Sequence, residues 1–234
     1  MASGSEDRRG LFWLGVKDLL PLSVGVISFG VAYGILATEA ELSLPESALM
    51  SLAVFAGASQ FVAAGMVISG AGITPILITT LMVNSRHFLM SASLAPFLRK
   101  WKLRWRVLLS FLLADETYAL TVSRFSKSPP SRYYMLGVGL SLYLIWALSS
   151  IVGGFLGSLV GDPQAWGLDF ALPATFIVLV VPMLRKWQDL AVCLSAGLLS
   201  VAAFIWLPGR WYVTFASLVA VAFGYVLVEL CKQK

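Results

Sequence analysis

The chain has 234 residues, 59% of them hydrophobic and 12% charged, with a net charge of +5 and a mean hydropathy of +0.85. A soluble domain carries about 25% charged residues, so these values exclude a water-facing exterior and predict an all-α, polytopic integral membrane protein, a single domain over 1–234. The basic residues stand in short clusters between apolar runs, which excludes a nucleic-acid groove, and Cys193 and Cys231 have neither metal-ligand nor disulfide spacing.

In chain order, the opening MASGSEDRRG is polar without a signal-peptide cleavage pattern. Residues 1–16 are therefore expected to be polar or interfacial, with LFWLGVKDLL (11–20) amphipathic and leading into the first span. Apolar segments follow at about 20–38, 47–69, 73–98, 107–124, 133–160, 170–184, 188–206 and 212–230. Each is near the length that crosses about 30 Å of hydrocarbon, giving seven to eight helical segments. The loops are the acidic EAELSLPE, the basic RKWKLRWR (99–106), SKSPPSR and GDPQAWGLD. Trp101 and Trp105 among the basic residues read as an interfacial anchor. Pro75, Pro173 and Pro182 mark helix starts or kinks. Gly30 and Gly34, and Gly153, Gly157 and Gly161, have the spacing that lets helix backbones approach, whether within the chain or at a partner interface. An inverted repeat pairing roughly 17–125 with 133–230 is compatible with this order.

The charges test the topology. If every segment crosses once from an inner N-terminus, the inner loops hold Arg8, Arg9, Lys17, Arg124, Lys127, Arg132, Arg185, Lys186, Lys232 and Lys234. The outer loops then hold Arg99, Lys100, Lys102, Arg104, Arg106 and Arg210, five of them in one loop. Moving that loop inside satisfies the positive-inside rule almost everywhere. It requires 47–98 to cross only once in net and 107–124 to enter and return, as broken or re-entrant helices do. The alternative is that the loop is an exception to a statistical rule.

Three polar clusters fall near the middle of successive segments: Ser59 and Gln60; Asn84, Arg86 and His87; and Asp115, Glu116 and Tyr118. A lone Arg or Asp at the centre of an inserted helix costs about 2.5–3.5 kcal/mol. Several at one depth must therefore meet one another or water. One reading is an ion-pair network that only fixes helix positions. The other is a midplane binding site. In it Gln60, Asn84, Arg86, Asp115, Glu116 and Tyr118 bind substrate, Arg86 holding a carboxylate and the acids an ammonium. His87, Asp115 or Glu116 carries a coupling proton.

These motifs also resemble a known family. PLSVGVISFGVAYG (21–34), VFAGASQF (54–61), VNSRHFLMSASLAP (83–96) and ADETYAL (114–120) follow one another as in the AzlC family, the large subunit of two-component branched-chain amino-acid exporters. The resemblance covers about 100 residues of the N-terminal half, and Ser28, Ser85 and Met90 stand where the family often has proline, leucine and tyrosine. It implies export of branched-chain amino acids driven by the proton motive force. It also implies a small hydrophobic AzlD-type membrane partner, no cofactor and a place in the cytoplasmic membrane. The alternatives from other classes are a membrane-embedded acid–base enzyme using His87, Asp115 and Glu116, and a passive channel or scaffold subunit. Against the enzyme, no HExxH or GxSxG motif occurs.

Overall fold

The structure is a computed structural model that describes residues 8–159, 177, 181, 184, 186–206 and 212–232, and every described element is an α-helix. The first element, α1 (Arg8–Glu39), contains Pro21 and is one unbroken helix, so the expected amphipathic segment at 11–20 runs into the first span without a break. At 1.5 Å per residue it is about 48 Å long. That exceeds the hydrocarbon thickness, which leaves Arg8, Arg9, Lys17 and Asp18 near one end.

The next three apolar segments are each broken in two. Segment 47–69 becomes α2 (Leu44–Ala53) and α3 (Gly57–Ile68); 73–98 becomes α4 (Ile73–Asn84) and α5 (Arg86–Leu98); 107–124 becomes α6 (Leu103–Phe111) and α7 (Asp115–Phe125). None of these six pieces is long enough to cross the hydrocarbon by itself. Beyond them lie α8 (Arg132–Leu159), α9 (Trp187–Trp206) and α10 (Tyr212–Lys232). Of the described helices, α1, α8 and α9 are individually long and apolar enough to span a membrane. Most of the expected segment 170–184, and Gly161, Pro173 and Pro182, lie outside the described residues.

The core is the seam between α1 and α8, which run parallel. Gly15 lies on the Tyr134 carbonyl, Gly30 on Ser149, Gly34 on Gly154, and Gly157 on Thr38 and Ile35. A Cβ on Gly34 or Gly153 would collide with facing backbone. The glycine ladder at Gly153 and Gly157 therefore serves internal packing, not a partner interface. Thr38 Oγ1 adds a bond across the seam to the Gly154 carbonyl at 3.3 Å.

Helices joined in parallel need an odd number of net crossings between them, and the contacts show how that is met. From its start, α2 descends along α8, with Leu44 and Ser47 against Gly154 and the Leu52 carbonyl accepting from Tyr143. At Phe55 the chain turns, and α3 climbs back: Gly57 meets Trp146 and Phe61 meets Tyr33. Tyr33 touches both Met50 and Phe61, eleven residues apart in sequence, as only a fold-back allows. The pair α4–α5 crosses once, kinked at Ser85, and ends with Leu98 near Met135. Then α6 ascends from Trp105 on Tyr133 to Phe111 on Tyr143, and α7 returns from the level of Trp146 to Arg124 on Tyr134. Two hairpins thus enter from opposite ends and meet mid-bundle. Apart from Arg86, every Lys and Arg of residues 8–159 lies at the end where α1 begins, and Glu39, Glu41 and Glu46 lie at the other.

Candidate functional site

The breaks place the polar clusters. At the first, Phe55 has φ +47 and Ala56 φ −137, ψ 80, so α2 ends and α3 starts afresh at Gly57. A non-glycine residue in the left-handed region costs of order 1–3 kcal/mol and persists only where its surroundings hold it. Gln60 supplies that hold. Its Oε1 accepts from the Ala56 amide at 3.2 Å and from Trp146 Nε1 at 3.1 Å, and its Nε2 donates to Ser51 Oγ at 3.1 Å. At the second break, Ser85 keeps helical dihedrals but closes i→i+3 bonds, a tightened turn rather than a gap. At the third, Ala114 is extended (φ −132, ψ 176) and Asp115 and Glu116 occupy the first turn of α7. Carboxylates there are favoured by the helix dipole.

Three half-helix N-termini consequently face one cavity of about 120 Å³. Its polar wall is Arg86 and His87 from α5 and Asp115 and Glu116 from α7. Its apolar wall is Val26 and Phe29 from α1, Phe55 to Ala58 and Phe61 from the first hairpin, and Leu142 and Trp146 from α8. Arg86 Nη1 lies 2.8 Å from Asp115 Oδ2, and both side chains are part-exposed (37% and 52%), so the pair remains accessible. Arg86 Nε is buried with no hydrogen-bond partner among the described residues. A backbone carbonyl can only accept, so His87 Nδ1, 3.1 Å from the Asn84 carbonyl, donates to it, and Nε2 is the ring nitrogen outside that bond.

Of the residues singled out from sequence, Arg86, His87, Asp115 and Glu116 converge on the cavity. Asn84 lines an adjoining vestibule of about 250 Å³ that shares Phe55, Ala56 and His87 with the cavity. Gln60 is fully buried behind the wall with its amide engaged as above. Tyr118 lies off the cavity and donates to Ser93 Oγ at 3.0 Å, tying α7 to α5. Sequence reasoning missed the aromatic wall of Phe29, Phe55, Phe61 and Trp146. In a chain with 14 Phe and 8 Trp, no spacing separates a cavity aromatic from a lipid-facing one. Among the described residues no group of three or more His, Cys, Asp or Glu could hold a metal ion.

The family model that matches is that of the AzlC protein, over residues 21–160. Inner membrane protein YgaZ of Escherichia coli is 30% identical over 198 residues, covering 82% of this chain and 80% of that protein. The branched-chain amino acid transport protein AzlC of Bacillus subtilis is 28% identical over 217 residues, 91% and 85% of the two chains. An uncharacterized membrane protein of Archaeoglobus fulgidus is 30% identical over 200 residues, 85% and 87%. No solved structure matches.

Proposed function

The chain belongs to the AzlC family of membrane proteins, and from that membership and its cavity we propose that it is a secondary transporter exporting branched-chain or similarly apolar amino acids, driven by the proton motive force. The observation that carries the reading is the accessible Arg86–Asp115 pair on one wall of an otherwise aromatic and aliphatic cavity where three half-helices begin. Such discontinuous helices are a recurring device for holding charged substrate groups at mid-depth. The zwitterion inserts into the pair: its carboxylate takes the Arg86 fork, and its ammonium takes Asp115 and Glu116. Its side chain lies on Phe29, Phe55, Phe61 and Trp146. Cavities of roughly 150 Å³ accept benzene, so about 120 Å³ suits a short branched aliphatic group better than an indole. His87 Nε2, or either acid, carries the coupling proton.

The relative named as a branched-chain amino acid transport protein supports the substrate class. In this reading a small hydrophobic AzlD-type subunit completes the transporter, and the basic end of the bundle faces the cytoplasm, in line with the positive-inside rule. The test is flux in liposomes with the chain purified alone and with the partner. Labelled leucine should move with an imposed pH gradient, and a protonophore should abolish the movement. Flux indifferent to the gradient, or no flux with both subunits present, would sink the proposal.

A further inference from the structure

Three cavities form a chain. A groove of about 910 Å³ lies between α5 and α6 at the basic end, lined by the exposed Arg99 and Arg106 together with Leu94, Leu98 and Val107. No acidic residue lines it, and neither arginine has an ion-pair partner among the described residues. The groove shares Ser110 and Leu113 with the vestibule, and the vestibule shares Phe55, Ala56 and His87 with the central cavity. On the acidic side of the cavity, Tyr33 is fully buried among the described residues, stacked on Trp146 at 6.1 Å and edge-on to Phe61 at 5.8 Å.

We infer that the central cavity is reached from the basic end through this groove and vestibule, with Leu113 and Phe55 as the two gates and Arg99 and Arg106 drawing in solutes that carry a carboxylate. The structure is thus the state open to the basic face. Leu113 is nearly buried yet borders both outer chambers. Phe55 stands at the left-handed turn of the first hairpin against Phe111 of the second, so a shift of either hairpin tip moves it. The inference deepens the transport reading and rests on it for the identity of the solute, but the route itself can be tested without any substrate.

The experiment uses Ala58→Cys in the cavity wall, with thiol labelling followed at that site by mass spectrometry so that Cys193 and Cys231 stay in place. Membrane vesicles of both orientations are treated with an anionic methanethiosulfonate, with Lys102→Cys marking the basic face and Ser43→Cys the acidic one. Ala58→Cys should react when the reagent is supplied to the Lys102 face and slowly from the Ser43 face. Leu113→Trp should slow that reaction about tenfold while leaving Lys102→Cys unaffected. A bulky maleimide placed on Ser110→Cys after folding should do the same, so a folding fault cannot mimic the block. Changing Arg99 and Arg106 to Gln should slow the anionic reagent by roughly tenfold, the low end of what charged clefts do to encounter rates, and leave a neutral reagent unchanged.

Equal labelling from both faces, or indifference to both blocks, would overturn the route. So would Ser110→Cys that reacts in detergent but not in vesicles, because lipid or a partner subunit then fills the groove. If the route holds but leucine never protects Ala58→Cys, the transport reading falls and the route stands.

Discussion

At the scale of single residues, Arg86 separates a binding role from a structural one. Lysine keeps the charge but loses the planar fork that grips a carboxylate at two points. Arg86→Lys should therefore express and insert normally, because Asp115 keeps a counter-ion, yet transport poorly. Arg86→Met with Asp115→Asn removes the pair together. Recovered folding without flux supports substrate binding, and recovered flux would leave the arginine a structural counter-ion. Gln60 has a different task. Truncation to Ala leaves the Ala56 amide and Trp146 Nε1 without their shared acceptor. A buried unpaired polar group costs about 1–3 kcal/mol, so Gln60→Ala should lower the melting temperature of the purified protein, and Gln60→Glu should recover part of the loss. The common depth of Arg86, His87, Asp115 and Glu116 was legible from sequence because charge in hydrocarbon is costly. The side-chain directions of Gln60 and Tyr118 were not, because a hydropathy window carries depth but no azimuth.

At the scale of elements, the breaks carry almost no local signature. Phe55, Ser85 and the stretch from Leu112 to Ala114 contain neither Pro nor Gly, while Pro21 and Pro96 lie inside intact helices. The turns are held by tertiary partners, Gln60 above all, which no propensity scale weighs. What the sequence did carry was charge arithmetic, one of whose two readings asked for one net crossing over 47–98 and a return over 107–124. The described contacts have that form. The α1–α8 seam was legible only as glycine spacing that left its partner open. Since Gly157 faces Thr38 and Ile35 of α1, Gly157→Leu should push the two helices apart. The expected readout is loss of monodisperse protein on size exclusion, whether or not a partner subunit is present, whereas the exposed Gly197, which a Cβ would leave without contacts, should tolerate the same change.

At the scale of the whole molecule, α1 with the α2–α3 hairpin and α4–α5 with the α6–α7 hairpin are two units of opposite orientation whose tips share the cavity. The sequence suggested a repeat between the two halves of the chain instead, but much of 160–185 lies outside the described residues, and the inversion seen is internal to residues 8–125. Internal inversion was illegible because it lies in how the two units run through the bundle, and a hydropathy pattern carries no direction of travel.

The seating of α2 on α8 has a consequence for how the protein is made. Ser47 and Ser51 of α2 are 1% and 0% exposed, and the wall they lie against includes a helix that the ribosome delivers last of the two. At roughly 5–20 residues per second, α2 waits several seconds for it. An unwound turn is not stable against lipid, so the first hairpin cannot settle at depth during that interval. It must rest at the membrane surface and slide in once α8 has docked on α1, which makes insertion of this segment a late event that follows synthesis of α8. A nascent chain ending at Phe125 should then leave Ser51→Cys open to a membrane-impermeant thiol reagent, and the full-length chain should close it.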